Sequence, residues 1–208
     1  MSPRKVNKNQ KRREIALACA DLIYEVGMKN LTVSQAAKTA GIGKGTIYEY
    51  FENKDDIIFE IIDIHIQRHN NEFDEMVDKV DTTKEKIEIF FRFILDNSEE
   101  KRKHFNGYKE FLSIVLSEDN QKMKEFNCDK NDVFKNKLEK ILNDAVQNGE
   151  LKPEILNLVD GILTYHKGLA IRKMTQSDFD ERLDFESFIN TILDLNKVSK
   201  WFQRNMKE

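Results

Sequence analysis

Apolar residues in this chain recur three and four apart rather than two apart, and that spacing predicts helices throughout. Ile15, Cys19, Leu22 and Val26 form one stripe, and Gly27 is placed to end that helix in a left-handed conformation. Thr32 is a good N-cap for a short helix, VSQAAKTA, that stops at Gly41. A second short helix is expected from about Gly43 to Phe51, and Asn53 then caps a long one beginning near Lys54. Asp55 and Asp56 fall in its first turn, where carboxylates complement the helix dipole. Longer helices follow over 55–79, 83–97, 100–117, 130–148, 153–175 and 183–203. Polar breaks separate them: DTT at 81–83, NCDKND at 127–132, QNGELKP at 147–153 and TQSD at 175–178. Proline occurs only at positions 3 and 153, so the strongest helix breaker is absent in between. The expected fold class is all-α.

With 208 residues the chain suits one domain plus a small appendage, and its 14 Phe and 39% hydrophobic content supply a core that disordered chains lack. No apolar run approaches the ~18 residues that span a bilayer. The basic start, MSPRKVNKNQKRRE, has no apolar stretch behind it and does not read as a secretory signal. Cys19 and Cys128 lie far apart, without disulfide-scaffold or metal-type spacing. A cytoplasmic protein with no membrane partner and no cofactor is expected. The net charge of −3 hides an asymmetry: residues 1–54 carry ten bases and five acids, leaving 24 bases and 32 acids for the remainder. A head at +5 on a body at −8 fits a head that meets a polyanion while the body repels it.

The glycine-rich stretch AGIGKGTIYEYF at 40–51 tests that idea. A nucleotide P-loop needs glycine directly before the lysine and Ser or Thr directly after it, at the end of a strand. Here Gly45 follows Lys44, Thr46 comes one place late, and the preceding residues are helical in composition. A helix–turn–helix accounts for the stretch instead: Gly41 reverses the chain, and Ile47 and Phe51 share an inward face four residues apart. Lys44, Gly45, Thr46, Tyr48 and Glu49 then point outward. Lys44 suits guanine or a phosphate, Gly45 lets the helix approach base edges, and the hydroxyls of Thr46, Tyr48 and Tyr50 suit phosphate oxygens. Lys54, with the free amides of the helix it begins, adds an anion site.

Residues 12–62 are similar to the N-terminal DNA-binding domain of the TetR family of bacterial transcriptional regulators. The likeness rests on A-x-L-I-x-x-x-G at 20–27 in the first helix, Leu31-Thr32, Ala37, Ala40-Gly41-Ile42, and Gly45-Thr46-Ile47-Tyr48-x-Tyr50-Phe51-x-Asn53-Lys54. The resemblance implies a three-helix helix–turn–helix domain over 1–54 and a larger helical ligand-binding and dimerisation domain over 55–208. It implies DNA contacts from Thr32, Ser34, Lys44, Gly45, Thr46, Tyr48, Tyr50 and Lys54, with Arg4 and Lys5 as an arm toward a neighbouring groove. It also implies a homodimer built from the last two helices, a palindromic operator, and release by a small-molecule effector. The chain departs from the family pattern at Gly43, where Ser or Thr usually caps; at Ala36, which replaces a larger aliphatic; and at Glu49, an acid facing phosphates.

In the body, Gly161 and Gly168 lie seven apart on one helix face, each costing about 1 kcal/mol relative to Ala, which asks for a compensating close approach. Phe185, Phe188, Ile189 and Ile192 give the last helix a wide apolar face for the same pairing. Candidate ligand-binding residues are Phe90, Phe93, Phe105, Tyr108, Phe111, Phe134, Tyr165 and His166, although aromatic stripes at helical spacing also serve as plain core. His65 and His69, at i and i+4, interrupt an apolar face. They suit a hydrogen-bonded core or interface role, a sensing role, or a metal pair that lacks an evident third ligand. Two readings from other classes remain beside the regulator: a helical protein-binding adaptor, and a metal-dependent enzyme using those histidines, for which no Ser/His/Asp set or HExxH is present. A non-enzymatic repressor is the reading expected.

Overall fold

The computed structural model describes residues 7–117 and 121–199, so Arg4 and Lys5 of the expected arm lie outside the described residues. Ten α-helices appear among these: α1 (Lys8–Ala18), α2 (Ala20–Val26), α3 (Val33–Thr39), α4 (Lys44–Ile47), α5 (Lys54–Val77), α6 (Thr83–Leu95), α7 (Glu99–Ser117), α8 (Gln121–Gln147), α9 (Val159–Thr175) and α10 (Glu181–Asn196), with a 3₁₀ segment at Pro153–Leu158. The one β pairing among the described residues is the antiparallel bridge between Leu151 and Lys197. None of these helices is long and apolar enough to cross a membrane. The described residues form two compact units, 7–72 with 103–117, and 73–102 with 121–199.

In the first unit the expected opening helix is interrupted at Cys19, whose amide is shared between the carbonyls of Ile15 and Ala16. The thiol of Cys19 donates to the Ala36 carbonyl at 3.4 Å, and both residues are fully buried. Small Ala36 therefore leaves no thin spot, because Cys19 fills against it. Ile15, Ala16, Cys19 and Ile23 form the buried stripe, while Leu22 and Val26, expected on it, are half-exposed. Gly27 does adopt a positive φ of 79°, but with ψ 154° it is extended rather than left-handed helical. Leu31, Ala37, Ile47, Phe51, Ile57, Ile58 and Ile61 complete the core. Each large apolar side chain there is worth about 1.5–3 kcal/mol over exposure.

The second unit gathers Phe90, Phe91 and Ile94 of α6, Leu138 and Leu142 of α8, Ile162 and Leu169 of α9, and Phe185 and Ile189 of α10. A capping box opens α6: the Thr82 hydroxyl accepts from the Glu85 amide, and the Glu85 carboxylate accepts from the Thr82 amide. The break expected at 127–132 does not occur, since α8 runs unbroken through NCDKND. Polar residues other than Gly and Pro cost at most ~0.7 kcal/mol each in a helix. Burial of Met123, Leu138, Ile141, Leu142 and Ala145 on one face outweighs them. Conversely, Pro153 opens a 3₁₀ turn, and α9 begins only at Val159. The last helix stops at Asn196, where Lys152 N–H donates to the Asn196 carbonyl at 2.8 Å and turns the chain aside. Lys173 fastens this end of the unit: its ammonium donates to the Ile94 carbonyl and to Asn97, and pairs with Glu181 at 2.9 Å.

Candidate nucleic-acid interface

Local chemistry fixes each part of the helix–turn–helix. Thr32 caps α3 in a reciprocal capping box with Gln35. The far end of α3 closes on Gly41, at φ +67°, with Gly41 N–H donating to Lys38 and Ile42 N–H to Ala37. This doubly bonded reversal needs the left-handed residue that glycine supplies without strain. Gly43 opens α4 with no side-chain cap, as its lack of a hydroxyl requires. The helix itself is only Lys44–Ile47, followed by turns through Tyr50, rather than a helix continuing to Phe51.

Inward, Ile47 and Phe51 are 0% and 2% exposed. Outward stand Lys44, Gly45, Thr46 and Glu49, with Tyr48 51% exposed despite its apolar ring. A Cβ added at Gly45 would meet nothing within 4 Å, so nothing in the protein requires a glycine there.

The remaining predicted contacts are placed less freely. Ser34 is exposed, but the Thr32 hydroxyl also donates to Gln35 Oε1 at 2.7 Å, so the capping box already engages it. Tyr50 is half-buried, and Lys54 is turned back to donate its ammonium to the Lys29 carbonyl at 3.0 Å. At the start of α5, where an anion site is expected, the chain's own side chains engage two backbone amides. Asn53 Oδ1 accepts from the Asp56 amide at 3.1 Å, and Asp56 Oδ2 accepts from the Glu52 amide at 3.0 Å.

In the sequence Arg12 is one of the ten bases of residues 1–54, with nothing to mark a structural role. Its guanidinium donates to Glu60 at 2.6 Å and to the Tyr50 carbonyl at 2.8 Å, and lies 4.5 Å above the Phe51 ring. It thereby clamps the turn after α4 between α1 and α5. The only sequence signal was an arginine at the edge of an apolar stripe, which names no partner.

The candidate ligand residues are divided between the two units. His65, His69, Phe105, Tyr108 and Phe111 belong to the first unit; Phe90, Phe93, Phe134, Tyr165 and His166 belong to the second. In the second unit the rings pack directly on one another: His166 is 5.4 Å from Phe90, 4.9 Å from Phe91 and 6.5 Å from Phe134, centroid to centroid. A separate open groove of about 600 Å³ lies elsewhere in that unit, floored by Met76, Val80, Ile89 and Leu95 and edged by Arg92 and Arg182; none of the predicted ligand residues lines it. In the first unit His65 meets Tyr24 and His104. Burial, with lesser contributions from His104 and Arg68, pushes the His65 imidazole down to about 4, so it is neutral at physiological pH. Burial also pushes the Tyr108 phenol up. Among the described residues, no group of three or more His, Cys, Asp and Glu is placed to hold a metal ion.

On the expected pairing face, Phe185 and Ile189 are instead buried within their own unit, at 0% and 1% exposure, with Phe185 packed 5.0 Å from Phe91. Phe188 is half-buried and stacks 3.8 Å from Tyr165, whose hydroxyl donates to Asp184 at 2.9 Å; Ile192 is half-buried. Gly161 and Gly168 have nothing within 4 Å of an added Cβ, so packing within the chain does not explain them.

The profile of bacterial regulatory proteins of the tetR family matches residues 15–61, the whole of the helix–turn–helix. Over 207 residues the chain is 27% identical to the fatty acid metabolism regulator protein of Bacillus subtilis (strain 168), covering 90% of this chain and 94% of that one. A TetR-family regulator from Cytophaga hutchinsonii superposes with a TM-score of 0.72 at 18% identity, over 95% of this chain and all of the other. The fatty acid degradation regulator FadR from Bacillus halodurans gives 0.63 at 20% identity, over 91% and 96%. The profile match falls on the element whose geometry faces outward, and the matches beyond it run nearly end to end. Residues 15–61 thus match the DNA-binding domain of the tetR family of bacterial regulatory proteins, and the chain as a whole shares the fold of regulators of that family.

Proposed function

We propose that the chain is a dimeric, ligand-responsive transcriptional repressor that acts in the cytoplasm. Two copies of α4 dock in successive major grooves of a palindromic operator, with half-sites about 34 Å apart. The observation that carries this reading is the outward set Lys44, Gly45, Thr46 and Tyr48: an ammonium, two hydroxyls and a bare backbone position, all exposed. The functional division is a head over 1–54 and a body over 55–208. Pairing of the body uses the surface around Gly161, Gly168, Phe188 and Ile192, together with the exposed Leu158 and Ile171 of the same region. An effector releases DNA only to the extent that it prefers a body conformation whose two heads no longer match the half-sites.

The full-length relative in Bacillus subtilis is a fatty acid metabolism regulator, and we take the same metabolic territory for this chain, with an acyl compound as effector. The test is fluorescence anisotropy on duplex from the protein's own upstream region. Wild type should bind with steep salt dependence, and Tyr48→Ala and Lys44→Ala should each weaken binding by about tenfold while the melting curve stays put. Fatty acids of graded chain length should release the DNA. No binding at low salt, or variants that bind like wild type, would overturn the DNA-binding reading; binding that no fatty acid disturbs would overturn the effector alone.

A further inference from the structure

Three polar rings from three helices of the first unit converge. The Tyr24 ring of α2 lies 5.7 Å from the His65 ring of α5 and 5.7 Å from the His104 ring of α7, and the two imidazoles are 5.2 Å apart, centroid to centroid. Gly107, almost one turn beyond His104, makes the approach possible: a Cβ there would stand 3.3 Å from the edge of Tyr24.

The distances fit a shared cation better than direct contact. Tyr24 Oη and His65 Nε2 are 3.4 Å apart, which is long for an O–H···N hydrogen bond. Around a tetrahedral ion with bonds of about 2.0–2.1 Å, two donor atoms sit roughly 3.3–3.4 Å from each other. An imidazole nitrogen lies about 1.1–1.2 Å from its ring centroid, so two imidazoles on one such ion have centroids about 5 Å apart. Both spacings are those observed.

We propose that His65, His104 and Tyr24 form a site for a divalent transition-metal ion of the zinc and cobalt class, with solvent at the fourth position. The third donor is a phenol oxygen rather than a carboxylate or thiolate. Binding as phenolate releases its proton to solvent, so the ion replaces one proton at the site. Two charged side chains act on His65 besides its ring neighbours: Asp21 favours a cation there and Arg68 opposes one. His69, one turn from His65 on α5, is no part of the site. The site lies outside the DNA-contacting set, and its readout does not depend on DNA binding.

The experiment strips the full-length protein with a chelator, then titrates Co²⁺ by visible absorption and Zn²⁺ by competition with a chromogenic chelator. Wild type should take up one ion per protomer with the intense visible bands of a tetrahedral Co²⁺ centre, and Zn²⁺ should raise its melting temperature. His104→Ala and His65→Ala should each weaken binding by about 100-fold or more, and Tyr24→Phe by about 10-fold. Arg68→Gln should tighten it, which no merely structural role of the cluster would produce, and His69→Ala should leave it unchanged. His104→Gln replaces His104→Ala if the latter fails to fold. Absence of stoichiometric binding overturns the proposal. So does binding that survives loss of His104, and so does binding lost with His69, which would assign the ion to the i, i+4 pair.

Discussion

Gly45→Ala separates what the protein needs from what its target needs. The new methyl meets nothing within 4 Å, and the backbone at Gly45 is helical with no positive φ to strain. Alanine should therefore stabilise the fold. A mid-helix exchange is worth about 1 kcal/mol, and α4 is a single turn, so roughly half of that is the expected gain. For a chain of this size, ~0.5 kcal/mol corresponds to a rise of about 1–2 °C in Tm. At the DNA the same methyl stands where the helix should come closest to the base edges. Forcing one extra carbon into a packed contact costs about 1–3 kcal/mol, or roughly 5- to 150-fold in affinity. The salt dependence should hardly change, because no phosphate contact is removed. Thermal melting and anisotropy on one duplex at fixed salt measure both effects. Affinity within twofold of wild type would refute the close-approach reasoning, whereas a lower Tm would show that the fold itself requires the glycine.

Arg12→Met should destabilise the first unit by about 2 kcal/mol, since Glu60 and the Tyr50 carbonyl each lose a charge-assisted donor and the ring of Phe51 loses its cation, discounted because the pair is partly exposed. Urea melts with a double-mutant cycle on Glu60→Gln should return a coupling near 1 kcal/mol, and a total loss under 0.5 kcal/mol would show the clamp to be idle. The Ser98 amide, with smaller help from its hydroxyl and from Arg92 and Lys101, holds the Asp96 carboxyl below its ordinary value of 3.8 against the opposing effect of burial. Its stabilisation is thus complete above that value and lost as pH falls through the depressed folded value, so Asp96→Asn should flatten the acid arm of a Tm–pH curve below about pH 4. Gly161→Leu should leave the protomer's circular dichroism unchanged, because the added carbons enter open space, yet shift sedimentation from dimer toward monomer; a dimer that persists with wild-type affinity would place the pairing surface elsewhere.

The head was legible because strong local signals punctuate it. Thr32 caps α3, Gly41 turns the chain at positive φ, and Asn53 caps α5, each through bonds among residues within five positions. The body was less legible because its boundaries depend on distant partners. The polar run NCDKND looks like a break, but α8 continues because both of its flanks bury side chains. Periodicity shows that a helix has an apolar face, not what covers it. On α10, Phe185 faces Phe91 of the same unit while Leu183, two residues earlier, is 68% exposed. The histidines show the same limit. Spacing along α5 pairs His65 with His69, but His65 meets the rings of Tyr24 on α2 and His104 on α7.

A helix of four residues has no stability of its own, since nucleation alone costs more than its few hydrogen bonds return. The direction in which Lys44, Thr46 and Tyr48 point is therefore set from behind and from both ends. Ile47 and Phe51 seat the inward face, the doubly bonded turn at Gly41 fixes the entry, and Arg12 holds the exit by the Tyr50 carbonyl. On the function proposed above, anchors and readers are distinct residues on one short segment. It follows that exchanges at Lys44, Thr46 or Tyr48 should change which duplex is bound at nearly constant stability. Exchanges at Ile47, Phe51 or Arg12 should lower stability and weaken binding to every duplex together. Operator preference in this chain can then drift through its outward positions without endangering the fold that presents them.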